Sequence, residues 1–596
     1  MRGMKIIAII IGLTLAFTLA SETAIYFAWR ATGSSKFDTL YGNSLHFPKS
    51  RTANQKYPGP SSGILKVATF GGSSTAGAAA ERSFADILSF ELNRHLGGGN
   101  AYVRNYAEGG APFHGFQAEM AKALMPFYDV FIIYAGHNEW VPPYFQRGGL
   151  DVIGVRETLD PRSSWRNKIA KALADARGDI DLIESIRRSS RIYAVAWKVS
   201  IKLTQLLTKS IAIGANERGI INDPRAQRPP PTAAIKTLSL EEIDRFLKNF
   251  AEDLAAVRNA ARQQNKLVIV VGASGDETWP PHFSLRPSGF DDRESDELDT
   301  ALVSAGDHLV NGRIADAQQL LSPILPRAPR HAFANHLLGQ MVAATGDMAS
   351  SWRHREIAID EDGFPVRAHS ATRHAAAAIA DEQFVYIPHP ELVRTLIDQG
   401  MTARDMWPDI VHPSSLNHAI IVRGVLCAMD RAGRVAGMRK FCEPIDADRA
   451  RDLRRRYFSE MNIKPEETRQ AHADVYRWGV LLSRISAHPR AYYASADWSL
   501  DMLHSDAANN SSSRATLYAR RAVLWTLQGK SCGAVLEQLS KAIDADPKRA
   551  ARVLLDDFLV RIRHDLVAMF AEIGIGAQIS SGGLSLSRAC GAATVK

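Results

Sequence analysis

Residues Ile64 to Phe70 (ILKVATF) form a short, mostly apolar run bounded by the turn-rich YPGPSSG, which predicts a buried strand. Similar runs recur at Ala101 to Tyr106, Val130 to Ala135, Lys266 to Ala273 and Phe384 to Ile387. Between the first two, Phe84, Ile87, Leu88, Leu92 and Leu96 repeat at helical spacing and stop at Gly97, Gly98 and Gly99. Strand and helix patterns therefore alternate, the signature of an α/β domain. The gaps between the later strands are long. One holds a basic, largely helical stretch expected over 157–235, closed by Pro229, Pro230 and Pro231 and expected to cover the carboxyl edge of the sheet.

The gap before the fifth strand carries an internal echo. Gly312 and Gly346 are 34 residues apart, as are Ala315 and Ala349, and Gly339, Ala358 and Pro329 fall where paired helices pack closely or end. That spacing is the tetratricopeptide period and predicts two helical hairpins inserted over 297–365. A third echo at Leu527 to Pro547 places Gly529, Ala534, Ala542 and Pro547 in similar order, so 431–596 is expected to be a separate helical, repeat-like domain.

The first residues differ from everything after them. Arg2 and Lys5 precede a charge-free run from Ile6 to Ala20, and Tyr26, Phe27 and Trp29 extend it towards bilayer length. The pattern predicts an export signal retained over 1–32 as a single inner-membrane anchor, with a linker over 33–60. Cleavage after Ala20 is the alternative. Positive charge ahead of the run keeps the amino end inside and puts the bulk of the chain in the periplasm or beyond.

With 596 residues, 46% hydrophobic and 23% charged, the chain is ordinary globular protein with room for several domains. Its net charge of +9 would raise nucleic acid as a partner in a cytosolic protein; an exported chain without a recognition motif excludes it. The basic runs Ile186 to Tyr193 and Arg449 to Phe458 read as solvated helix faces, or as contacts for anionic lipid or acidic glycan. Cys427, Cys442, Cys532 and Cys590 permit two disulfides in an oxidising compartment, and the closer pair, Cys427 with Cys442, is the expected one. They show no metal-ligand pairing, and no cofactor is expected.

Candidate chemistry lies at the ends of the predicted strands. GGSSTAG puts Ser73 on a strand-to-helix turn at the edge where open α/β sheets bind ligands. A serine nucleophile needs a base, a group to orient the base, and donors for an oxyanion. WPDIVHPSS supplies Asp409 and His412 three apart after the fifth strand, so a carboxylate can reach the imidazole within one turn. NYAEGGAPFHG ends the second strand with Gly110, and YAGHNEW ends the third with Asn138. Each also has a plain reading: Asn138 as a turn cap, Gly110 as a turn residue, His412 as a surface histidine before proline. His114 and His137 lie near the same edge as packing or substrate-contact residues.

The order GGSST, N-x-x-x-x-G, G-x-N-E and D-x-x-H resembles the SGNH (GDSL-type) hydrolase superfamily, over roughly Gly63 to Met429 without the basic insertion. YAGHNEW and the repeats ahead of D-x-x-H are similar to membrane-anchored bacterial members with tetratricopeptide-like repeats. The resemblance implies a flavodoxin-like three-layer α/β/α sandwich with a parallel sheet over 61–430. It also implies ester cleavage or acyl transfer without a metal, Ser73 as nucleophile, His412 as base and Asp409 as orienting acid. The oxyanion donors are then Ser73, Gly110 and Asn138. Two positions depart: Gly72 replaces the usual Asp before the nucleophile, and Glu139 the usual Asp after the asparagine.

The expected activity is hydrolysis of an ester on an envelope glycan, an extracellular glycan or a lipid. The alternatives are an O-acyltransferase acting on exopolysaccharide or envelope glycan with the same triad, and a repeat scaffold with a vestigial site. The repeats are a candidate surface for a protein partner.

Overall fold

The computed structural model describes residues 20–21, 23–24, 63–107, 110–139, 238–483, 486, 488–507, 511–528, 530–554, 576–580 and 583–588. The expected basic insertion, the linker and nearly all of the expected anchor lie outside these residues. Among the described residues no helix is long and apolar enough to cross a membrane.

The α/β unit begins with β1 (Leu65–Gly71), a short helix α1 (Ser73–Ala76), α2 (Phe84–Leu96) and β2 (Ala101–Asn105). There follow α3 (Ala118–Leu124), β3 (Val130–Tyr134), α4 (Leu240–Gln263) and β4 (Leu267–Val271). Helix α2 starts where the sequence expects, because Ser83 and Asp86 form a reciprocal capping box, and it ends at Gly97, whose φ is 84°.

The stretch between β4 and the fifth strand opens with two helix pairs: α5 (Asp292–Val310), α6 (Ile314–Leu321), α7 (Ala332–Ala344) and α8 (Met348–Asp360). They pair as α5 with α6 and α7 with α8. Gly312 and Gly346, the glycines one period apart, occupy the two inter-helix turns with φ of 72° and 89°. Gly339 lets α7 and α8 close up, since a Cβ there would sit 2.9 Å from Arg355 Cγ. Leu298, Leu302, Leu321, Leu337 and Leu338 form the hairpins' own apolar core.

Next come α9 (Ser370–Ala378), β5 (Phe384–Ile387), α10 (His389–Asp398) and α11 (Ser415–Arg431). All five strands are parallel, in the order β2-β1-β3-β4-β5. Alternate side chains supply two cores. Val67, Ile132, Leu267 and Ile269 meet α2, α10 and α11 on one face, whereas Phe70, Phe131, Ile133 and Val270 meet α3, α4 and α9 on the other.

The boundary expected at residue 431 falls inside the first core. Val435, Met438, Phe441 and Ile445, then Ala450, Leu453 and Tyr457 of α12 (Ala447–Glu460), pack with α11 and the sheet. Cys427 on α11 is bonded to Cys442, as the sequence spacing suggests, tying that segment down. Beyond α12, helices α13 (Pro465–Ser483), α14 (Pro489–Ala507), α15 (Ser511–Leu527), α16 (Cys532–Ala545) and α17 (Pro547–Leu554) form a bundle with its own core of Tyr476, Val480, Leu500, Val523 and Leu539. A two-stranded antiparallel hairpin of β6 (Gly576–Ser580) and β7 (Gly583–Arg588) follows.

Candidate active site

The strand-to-helix turn after β1 is built by its own glycines. Gly71 has φ 153°, and a Cβ on it would lie 2.1 Å from the Tyr134 carbonyl oxygen and 2.2 Å from Thr75 Oγ1. A Cβ on Gly72 would lie 2.0 Å from Asn138 Nδ2. Both contacts are far inside van der Waals range, so only glycine lets the chain turn this tightly against the end of β3. Thr75 Oγ1 donates to Tyr134 O at 2.7 Å and Gln117 Nε2 donates to Gly71 O at 2.9 Å, holding α1 with Ser73 at its first position, half-buried.

The loop between α10 and α11 brings the other partners to that edge. His412 Nε2 is 2.9 Å from Ser73 Oγ, and His412 Nδ1 is 2.7 Å from Asp409 Oδ2. Asp409 and His412 are each only 2% exposed. The other carboxylate oxygen of Asp409 accepts backbone N–H bonds from Val411 at 2.9 Å and His412 at 2.7 Å, so the acid is fixed before it touches the ring. A carboxylate on Nδ1 keeps the proton there and leaves the Nε2 lone pair facing the serine hydroxyl. Ser73, His412 and Asp409 therefore stand in one line of hydrogen bonds.

Asn138 lies at the end of β3, its amide against Gly72 and donating to Ala111 O at 3.2 Å. An amide NH2 has two hydrogens, so the group can also donate to an acceptor at Ser73. Gly110 sits in the adjoining turn with φ 74°, exposed and with open space where a Cβ would be. Its neighbour Ala111 is the residue whose carbonyl accepts the Asn138 hydrogen bond.

The two departures each have a physical setting. Gly72 is required by its contact with Asn138. Glu139 is buried and accepts N–H bonds from Phe113 and His114, both at 3.1 Å, pinning the turn after β2 to the end of β3. Burial pushes its carboxyl up to about 7. His114 Nδ1 lies 2.8 Å from Asp253 Oδ2 on α4, and His137 Nε2 bonds the Ser274 carbonyl at 2.8 Å. Burial pushes His137 down to about 4, so it sits neutral in the core.

Further groups stitch the nucleophile loop to the acid–base loop. Ser74 Oγ donates to Val411 O at 3.2 Å. Ser415 Oγ donates to Glu81 Oε2 at 2.6 Å and accepts from the backbone N–H of Glu81 at 3.1 Å and of Arg82 at 3.2 Å. The signal for these was present in the second serine of GGSST and the second of HPSS. Hydroxyls are too common in turns for it to stand out. Among the described residues no group of three or more His, Cys, Asp or Glu is arranged to hold a metal ion.

No family model matches the chain, and no curated protein or solved structure matches it either.

Proposed function

We propose that the chain is a serine hydrolase of SGNH type that cleaves an ester through an acyl-enzyme on Ser73. The observation that carries this reading is the continuous line Ser73 Oγ, His412 Nε2, His412 Nδ1, Asp409 Oδ2, with separations of 2.9 and 2.7 Å. The five parallel strands in the order 2-1-3-4-5, covered on both faces, support the flavodoxin-like sandwich of that superfamily.

Ser73 Oγ attacks the ester carbonyl carbon as its proton passes to His412 Nε2. The resulting oxyanion takes hydrogen bonds from the Ser73 N–H, the Gly110 N–H and Asn138 Nδ2. Collapse breaks the bond to the alcohol oxygen, which receives the proton from His412 and leaves. Water then attacks the acyl-enzyme, giving its proton to the same nitrogen, and the acid departs as Ser73 recovers its hydrogen. Asp409 stabilises the imidazolium in both halves. The substrate class is an O-acylated glycan or lipid, met on the periplasmic side of the membrane that residues 1–32 anchor.

The test is release of p-nitrophenol from p-nitrophenyl acetate by the full-length chain in mild detergent. Wild type turns over and Ser73→Ala loses the activity. Equal rates for the two would overturn the assignment.

A further inference from the structure

The bundle that follows the α/β unit contributes no triad residue, yet its helix α14 runs directly behind the acid–base loop. Ser495, buried, donates from Oγ to the Pro408 carbonyl at 2.9 Å, the peptide that leads into Asp409. One turn earlier, Tyr492 is 1% exposed and its ring shares an apolar cluster with Ile410 and Val411, the two residues between Asp409 and His412. Its hydroxyl lies 2.5 Å from Nε2 of the buried His282, whose backbone N–H is in turn held by Asp362 Oδ2 at 2.7 Å. Trp279 meets the Tyr492 ring edge-on at 4.8 Å between centroids.

The far side of the same loop is held from the end of β4. The Asp276 N–H donates to Ile410 O at 2.9 Å, and a Cβ on Gly275 would lie 2.4 Å from that oxygen. Arg367, 1% exposed, fixes this support by donating to the carbonyls of Asp276 at 3.1 Å, Trp279 at 2.7 Å and Pro280 at 3.2 Å. The nucleophile side is tied to the bundle as well, since Arg82 makes a two-pronged ion pair with Glu467 on α13 at 2.7 Å. The loop from Pro408 to His412 is thus gripped between the β4 end and α14.

We propose that Ser495 and Tyr492 are positioning residues for the reaction at Ser73, so that the bundle is a working part of the active site and not an appended module. The inference rests on the hydrolase reading above. A hydroxyl that fixes the peptide before Asp409 sets where the carboxylate stands, and the carboxylate sets the imidazole. Misplacement of such groups by even about 1 Å lowers turnover about a hundredfold while leaving substrate binding intact.

The experiment compares p-nitrophenyl acetate kinetics and labelling by a fluorophosphonate in full-length wild type and four variants: Ser495→Ala, Ser495→Thr, Tyr492→Phe and Ser499→Ala. Ser499 is the control, because it lies one turn along the same helix and, among the described residues, its hydroxyl bonds the Ala496 carbonyl of that helix, at 2.9 Å. The inference expects kcat of Ser495→Ala to fall between about tenfold and a hundredfold at unchanged KM. It also expects Ser495→Thr to recover most of that loss, Tyr492→Phe to fall by a smaller factor and Ser499→Ala to match wild type. Equal kcat in Ser495→Ala and wild type, or equal losses in Ser495→Ala and Ser499→Ala, would overturn it. Absence of any Ser73 adduct in wild type would instead sink the hydrolase reading and this inference with it.

Discussion

The turn that carries Ser73 and the loop that carries Asp409 and His412 meet at one point but are held by different means. The first owes its shape to its own glycines: Gly71 and Gly72 let it press against the end of β3, where Thr75 bonds the Tyr134 carbonyl, and a methyl group at 71 or 72 would collide with what it touches. The second is held by groups from elsewhere in the molecule, namely Asp276 and, through it, Arg367 on one side and α14 on the other. A glycine turn tolerates almost no substitution. A loop clamped from outside tolerates changes in itself and is sensitive to its clamps.

The largest expected effects lie where the two regions meet. Asp409→Asn should lower kcat about ten-thousandfold, the scale on which neutralising a triad carboxylate acts through the wrong imidazole tautomer. Steady-state kinetics with p-nitrophenyl acetate measures it, and a loss below tenfold would contradict the assigned role.

The nucleophile turn is next. Gly72→Ala must push Asn138 aside, so it and Asn138→Ala should each lower kcat about a hundredfold to a thousandfold. Because both act on one donor, the double variant should lose no more than the worse single. Multiplying losses would show that Gly72 and Asn138 act separately.

Ser415→Ala probes the stitch between the two loops. It removes hydrogen bonds to Glu81 and Arg82 in a buried setting and should destabilise the fold by about 1–2 kcal/mol, read as a lower urea midpoint. An unchanged midpoint would mean that the loops hold their places without it.

The smallest effect is a pH slope. Burial pushes His137 and His389 down to about 4 and His418 to about 3, so the fold keeps them neutral while the unfolded chain takes protons near 6.5. Acidification from 6.5 towards 4 therefore favours unfolding. Glu139, raised to about 7, acts oppositely: its contribution is present below 4.5 and is lost as pH rises through 7. His331 and His488 are also pushed down to about 4 by burial, while Asp276, Asp299 and Asp497 are raised with Glu139; the lowered histidines outnumber the raised carboxyls, so urea unfolding should show lower stability at pH 5 than at pH 7.

How much of this was legible in the sequence followed chemistry more than distance. Ser73 and His412 are 339 positions apart, yet a serine that needs a base and a D-x-x-H block can be paired by their roles alone. Ser495 and Pro408 are only 87 apart, and nothing about a serine within a helix announces which carbonyl it will meet. The strands were readable because a parallel sheet covered on both faces leaves continuous apolar runs, as in LVIVV of β4. The domain boundary near residue 431 was not, because Val435, Leu453 and Tyr457 carry the same periodicity whichever core they enter. The role of Gly72 was hidden too, since its reason is an amide from another strand.

The most direct test of the central claim is to treat the full-length chain with a fluorophosphonate and map the adduct by peptide mass spectrometry. The account predicts a single covalent adduct on Ser73, formed rapidly in wild type and lost in His412→Ala. An intact Ser73 after prolonged treatment, or labelling at equal speed without His412, would contradict it.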